Sequence, residues 1–466
     1  MKEQGNSTAA AGAAPEAQGT LVSIFVPYDH PLLQLNRVLN WDGLKEVMVK
    51  YWREAGKNVA GGPGRPWPVS LYVPLLVLMR IRNLNDRGME RHLAYDAAAR
   101  AFIGWTSDST PWVRDHSNIA RAVRALGVEG WREVDELIVQ QAVKLGFATT
   151  EVLSSDTTVQ EPQIGYPNEP GILRGVAQRV YRSLKKMGRR GVEGVESGIE
   201  QAKEIFKQVK HHHLFAKGAQ QKQEILKSLV EKTRELMEDC HQVVERVGQS
   251  ADRVVQSGVE KLKQLEVFCA TLLRQIAHWL QTGTVASGKY LHAGVTGARA
   301  IVKNKTGKKV EFGFKWLIHR IGGGYIFGKR VEATADENNM PIEAIKDYRQ
   351  VFGAEATPQM SVYDRGGSAK TTVEELQKIG VEKVGLVPKG KTPWSVAEED
   401  RKEVLSQRGQ TEGSIGTLKR YGFGGRRERS NETIEAAGQR ALVSVNLAKL
   451  TRDLVNREKQ AQMIAV

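Results

Sequence analysis

Between Ile225 and Leu280 the chain reads ILKSLVEKTRELMEDCHQVVERVGQSADRVVQSGVEKLKQLEVFCATLLRQIAHWL. Apolar residues recur there at near-helical spacing with charges on the other faces, the pattern of a helical hairpin or coiled coil. Such a stripe must be buried against a partner or against itself. The segments on either side have a different period. TTEVLSSDTTVQ, from Thr149 to Gln160, is β-branched and alternating, as in a strand with Asp156 near its middle. Further strand-like runs are KKVEFGFKWLI (Lys308 to Ile318), GYIFGKRVEA (Gly324 to Ala333), PQMSVYD (Pro358 to Asp364) and EKVGLVPKG (Glu382 to Gly390). Helical patterns lie between and after them, so the fold class is α/β. The charged helical region, 174–284, is expected as an insertion that splits one domain into 149–173 and 285–452, with a tail at 453–466.

Ahead of this domain, 21–148 has mainly helical spacing, as in LLQLNRVLNWDGLKEVMVKYW and LYVPLLVLMRIRNL. Ser109 and Thr110 before Pro111 form a helix-start signal, and Asp115 is a second cap candidate. No sharp motif favours a helix–turn–helix over simple helical packing. The leader 1–20 is small-residue rich, without the apolar run of a secretory signal, and reads as disordered. No later stretch has the roughly 20 uncharged apolar residues of a membrane helix. Two cysteines, Cys240 and Cys269, are too few for a disulfide framework and have no metal-ligand spacing. A soluble, cytoplasmic protein fits these features. The net charge of +15 makes nucleic acid the leading partner class.

Three carboxylates stand in unusual settings: Asp156 within a strand, Asp364 at the end of one in SVYDRGG, and Glu412 on a short helix. Hard oxygen ligands from separate elements are what two-metal chemistry on phosphodiesters needs. The ordinary reading of each acid alone is a turn, strand or surface carboxylate. The surroundings of Glu412 weigh against it. In RGQTEGSIGTLKRYGFGGRR, Arg408 and Lys419 share its helical stripe, while Arg420, Arg426 and Arg427 follow. Gly413 and Gly416 each weaken a helix by roughly 1 kcal/mol relative to alanine. A glutamate among cations makes sense if it holds a cation that itself touches a phosphate. Arg365, beside Asp364, is a further phosphate-contact candidate, and Lys389 in PKGKTPW contacts a DNA backbone or solvates a turn. KHHHLFAKG, with His211, His212 and His213, reads as a loop between helices, and IGGGYIFGK lacks GxxxxGK[ST] and reads as a turn between strands.

LSSDTTVQEPQIGYPNEPGIL, KKVEFGFK, SVYDRGG, KIGVEKVGLVPKGKTPW, RGQTEGSIGTLKRYGFGG and GQRALVSVNLAKLTRDL occur in the order seen in DDE transposases of bacterial insertion sequences. The chain resembles their insertion-sequence-five-like and ISNCY-like groups. GRPWPVSLYVPLLVLMRIRNLNDRGMERHLAYDAAARAFIGW is similar to their helical N-terminal domain. The resemblance implies a ribonuclease H-like mixed sheet flanked by helices, with an all-helical N-terminal domain for DNA binding or assembly and the helical insertion inside the catalytic domain. It implies that Asp156, Asp364 and Glu412 hold two Mg²⁺ ions, with Mn²⁺ as substitute, and that Arg408 and Lys419 contact DNA. The tyrosine that often precedes the arginine is replaced here by Leu405. The implied partners are double-stranded DNA, as terminal inverted repeats and target, and a second copy of the chain in a dimer or larger assembly at the nucleoid. A copy of the fold that binds DNA without cutting it is the alternative.

Overall fold

In a computed structural model of the chain, the described residues are 26–59, 66–105, 115–302, 309–388, 390, 393–425 and 428–464. The leader 1–20, the Ser109–Pro111 signal, Lys389, Arg426 and Arg427 lie outside them.

Seven helices come first: α1 (Pro31–Val38), α2 (Trp41–Glu54), α3 (Val69–Ile81), α4 (Asp86–Tyr95), α5 (Ala97–Phe102), α6 (His116–Ala125) and α7 (Gly127–Lys144). Polar caps fix several starts: Asn40 and Asn85 accept from the backbone N–H three residues on, and Asp115 accepts from Ser117 N at 2.8 Å. α3 is apolar almost all round, so it runs through the interior with Tyr72, Leu75, Leu76 and Leu78 buried. The core built on it also takes in Trp52 and Trp131.

The sheet follows. Its strands are β1 (Val152–Gln160), β2 (Arg299–Val302), β3 (Val310–Ile321), β4 (Ile326–Arg330), β5 (Met360–Tyr363) and β6 (Lys383–Leu386). Their order is β2-β3-β1-β5-β6, and β4 pairs with the second half of β3. β3 runs antiparallel to β1, whereas β5 and β6 continue parallel to it. The architecture is therefore mixed α/β with a mixed open sheet. α12 (Met340–Phe352) covers one face. α14 (Glu398–Arg420) and α15 (Asn431–Ile464) cover the other, and α13 (Lys370–Ile379) links β5 to β6.

The first core continues without a break into the sheet domain through Leu153, Leu317, Tyr348 and Leu447. A buried polar link joins the same parts. Asn446 on α15 donates to Asp135 on α7 at 2.8 Å, and also pairs with both backbone groups of Ile326 on β4. Burial drives the Asp135 carboxyl well above the usual range, which the Asn446 bond opposes.

Between β1 and β2 stand α8 (Glu169–Gly188), α9 (Glu196–Leu214), α10 (Gly218–Val247) and α11 (Arg253–Thr282). Their stripes meet in a separate core containing Leu184, Ile205, Leu236, Leu262 and Leu272. The apolar stripe is thus used within the insertion. Cys240 and Cys269 are buried in this core, and burial raises both thiols, Cys269 to about 12, so neither is poised to react.

Several elements differ from the sequence reading. β2 is only the four residues RAIV, too short to show an alternation. His211, His212 and His213 lie in the last turn of α9 rather than in a loop, with the break following at Phe215. The helix bearing Glu412 is 23 residues long, not short, despite its glycines. α15 runs to Ile464 in place of a separate tail, and its end is held where Gln34 meets Glu458 and Arg457 donates to the Leu145 carbonyl at 3.3 Å. No helix among the described residues is long and apolar enough to cross a membrane.

Candidate active site

The parallel register places the first two acids. Val152 is level with Met360 and Ser154 with Val362, and Asp156 and Asp364 each follow two residues beyond the last paired positions. Alternation then sets the faces. Ser154 Oγ lies 2.7 Å from Thr411 Oγ1 on α14, and Val362 packs in one cluster with Val404 of the same helix. Asp156 and Asp364, each two residues along, share that face, beneath α14.

The seating of α14 fixes Glu412. Thr411 is buried against Ser154, and buried Arg320 on β3 donates to Gln407 Oε1 at 2.9 Å and to Gln410. Further back, a Cβ at Gly385 on β6 would meet Val404 at 2.7 Å, so this glycine is needed for the helix to lie close. Glu412 follows the buried Thr411 directly and projects at the exposed edge. Its side chain is 58% exposed, against 38% for Asp364 and 26% for Arg408. Arg408 joins the two acids: its Nη2 is 2.9 Å from Asp364 Oδ1 and 3.2 Å from Glu412 Oε1. Asp364 and Glu412 therefore converge on one cationic group.

A Cβ at Gly409, Gly413 or Gly416 would meet nothing within 4 Å. Their smallness serves no internal packing, and this side of the helix is open to close approach. Lys419 and Arg420 are exposed beyond it, and Arg365 is exposed beside Asp364.

The opposite face carries a clamp that the sequence reading missed. Glu337 accepts from Tyr363 on β5 at 2.6 Å and from Thr157 on β1 at 3.2 Å, and pairs with Lys315 on β3 at 2.8 Å. Thr157 and Tyr363 are the immediate neighbours of Asp156 and Asp364, so one carboxylate ties together the strand ends that carry them. A second chain runs from Ser155 through His319 to Asp347, at 2.9 Å and 3.0 Å, with all three buried. Glu337 was hidden in ADENNMP, which reads only as a turn.

Burial works to raise the Glu337 pKa, but its bonds from Lys315, Tyr363 and Thr157 outweigh that and leave it lowered. Its stabilising contribution is fully present above the ordinary value of 4.5 and is lost as pH falls through the lower folded value. Glu337→Leu is expected to cost about 2 kcal/mol in denaturant unfolding at pH 7, and less as the pH falls through that range, because Lys315 and Tyr363 lose their partner. An equal cost at pH 7 and pH 3 would contradict the clamp.

Among the described residues, no three His, Cys, Asp or Glu side chains stand together as a group able to hold a metal. Arg408 occupies the space between Asp364 and Glu412 in this state.

Residues 22–125 match the family model described as Transposase domain (DUF772). The match supports a transposase of the insertion-sequence type. It spans the helices from α1 to α6 and stops before the sheet that carries the acids. No curated protein and no solved structure gives a significant match.

Proposed function

We propose that this protein is a DDE-type DNA transposase of the insertion-sequence-five-like or ISNCY-like kind. It binds the terminal inverted repeats of a mobile element, cuts phosphodiester bonds at their ends and joins the exposed 3′-hydroxyl to target DNA. The observation that supports this reading is that Arg408 lies 2.9 Å from Asp364 at the end of β5 and 3.2 Å from Glu412 on α14, so the strand end and the helix bring two of the three acids to one cation. A mixed sheet with an antiparallel half, a parallel half and helices on both faces supports the ribonuclease H-like reading of the catalytic domain.

In this reading Asp156, Asp364 and Glu412 hold two Mg²⁺ ions, or Mn²⁺ in their place. When bound, the ions supply Lewis-acid polarisation of the phosphate and acidify the attacking water. The rest is positioning by the chain. Thr411, Gln407 and Gln410 hold the Glu412 turn against the sheet, and Glu337 holds the strands level from below. Arg408 makes both carboxylate contacts through Nη2, which leaves other donors of its planar fork for a phosphate oxygen. Lys419, Arg420 and Arg365 add charge where the strand would lie, and Lys389, Arg426 and Arg427 are assigned the same role from sequence. The glycine side of α14 lets the sugar–phosphate backbone come close.

Two DNA ends cut together call for at least a dimer, and the DNA partner places the protein at the bacterial nucleoid. The test is a labelled duplex carrying the end of the encoding element. Nicking at the end with Mg²⁺ that stops with chelator is expected. Binding without nicking in Mg²⁺ and Mn²⁺ would replace this reading with a non-cutting DNA-binding protein.

A further inference from the structure

A cleft of about 850 Å³ lies outside the acidic site. One wall is the turn from α3 to α4 together with α6, and the other is formed by described residues between α14 and α15, Tyr421, Gly422, Gly425 and Glu428 among them, with the first turns of α15. Its described lining carries four arginines, Arg80, Arg124, Arg429 and Arg440, against two carboxylates, Asp86 and Glu428.

One of these arginines is buried and a second is nearly so. Arg80 is 8% exposed and the Arg440 side chain 13%. Arg440 is paired with Glu428 at 2.6 Å, whereas Arg80 donates only to a neutral carbonyl, that of Leu84, at 2.8 Å among its described bonds. Arg80 Nε is buried with no hydrogen-bond partner among the described residues. A buried guanidinium with an unused donor is costly to leave in that state. Its charge is disfavoured first by desolvation and then by Arg440, and the Glu428 carboxylate offsets these only in part, which leaves its pKa lowered to about 9. An oxyanion in the cleft would relieve both.

We propose that the cleft binds a backbone phosphate of DNA, held by Arg80 and Arg440 from below and by Arg124 and Arg429 at the rim. The position favours a strand already engaged by the acids. Tyr421 and Gly422, which line the cleft, directly follow α14, nine residues after Glu412. At 1.5 Å per helical residue the separation is about 14 Å, or about four nucleotides along one strand. The cleft would then fix the DNA at a set distance from the cut. It would also tie the helices matched by the transposase family model to the catalytic sheet through a shared strand.

This inference rests on the DNA-binding reading, and the experiment separates the two. Binding of a fluorescein-labelled end duplex would be followed by anisotropy across a salt series for wild type, Arg80→Met and Arg124→Gln. Melting of each protein would be recorded with and without inorganic phosphate or deoxyadenosine monophosphate. Arg80→Met is expected to weaken DNA binding about tenfold or more and to lower the salt slope by about one. Arg124→Gln, an exposed position, keeps the test open if the buried variant fails to fold, and is expected to lower the slope similarly. Unchanged affinity and slope in folded variants would overturn the phosphate cleft while leaving DNA binding intact. No binding by wild type would remove the DNA reading itself. A nucleotide-dependent rise in melting that Arg80→Met abolishes, with DNA binding unaltered, would assign the cleft to a free nucleotide and overturn the proposal.

Discussion

Asp364→Asn is expected to reduce nicking of element-end DNA by at least about a thousandfold while leaving the fold and DNA binding in place. The carboxylate is 38% exposed and its ion-pair partner is Arg408. A pair of this exposure contributes at most about 1 kcal/mol to stability, so the substitution removes chemistry and little else. Unfolding curves and anisotropy would check the second half of that statement, and single-turnover cleavage in Mg²⁺ the first. Binding persists because Lys419, Arg420 and the other cations are unchanged. A residual rate within tenfold of wild type would show that Asp364 is a structural strand-end carboxylate.

Asn446→Leu is expected to destabilise the protein by about 3–5 kcal/mol, as measured by denaturant unfolding. The change keeps the volume but removes three bonds at once. Asp135 is left without its described partner in a buried site, and the N–H and carbonyl of Ile326 lose their side-chain cap. The effect should also loosen the contact between α7 and α15, since Asn446 is the polar link inside it. A companion prediction follows from the raised Asp135 carboxyl. A carboxyl whose folded pKa lies above its unfolded one makes the protein less stable as pH rises from 3.8 towards the raised value. Asp135→Asn should remove that part of the pH dependence, and an unaltered slope would mean that Asp135 ionises freely in the folded chain.

Much of the sheet could be read before folding, because its strands alternate and are bounded by turn residues. β1 and β5 overlap the runs that carry Asp156 and Asp364, and β3 overlaps a run between them. What alternation could not convey was register. The pairing of the strands that carry Asp156 and Asp364 depends on β5 joining β1 on the side opposite β3, a choice made by packing between residues some two hundred positions apart. Glu337 was missed for a related reason: its importance lies in Tyr363, Thr157 and Lys315, which come from three strands. The Ser155–His319–Asp347 chain is likewise invisible locally. Arg80 stands near the end of an otherwise apolar helix, and only tertiary structure shows that its Nε is buried without a hydrogen-bond partner among the described residues. The helix bearing Glu412 was expected to be short, whereas burial of Val404, Thr411, Ile415 and Leu418 carries α14 through its glycines.

The proposed chemistry requires that Asp156, Asp364 and Glu412 act as one metal site. Crystals of the protein with an element-end duplex, grown in Mn²⁺, would allow the ions to be located by anomalous diffraction. The predicted result is manganese between Asp156, Asp364 and Glu412, with Arg408 turned from its carboxylates to a phosphate oxygen. Arg408 still clasping Asp364 and Glu412 beside bound DNA, with manganese elsewhere, would contradict it.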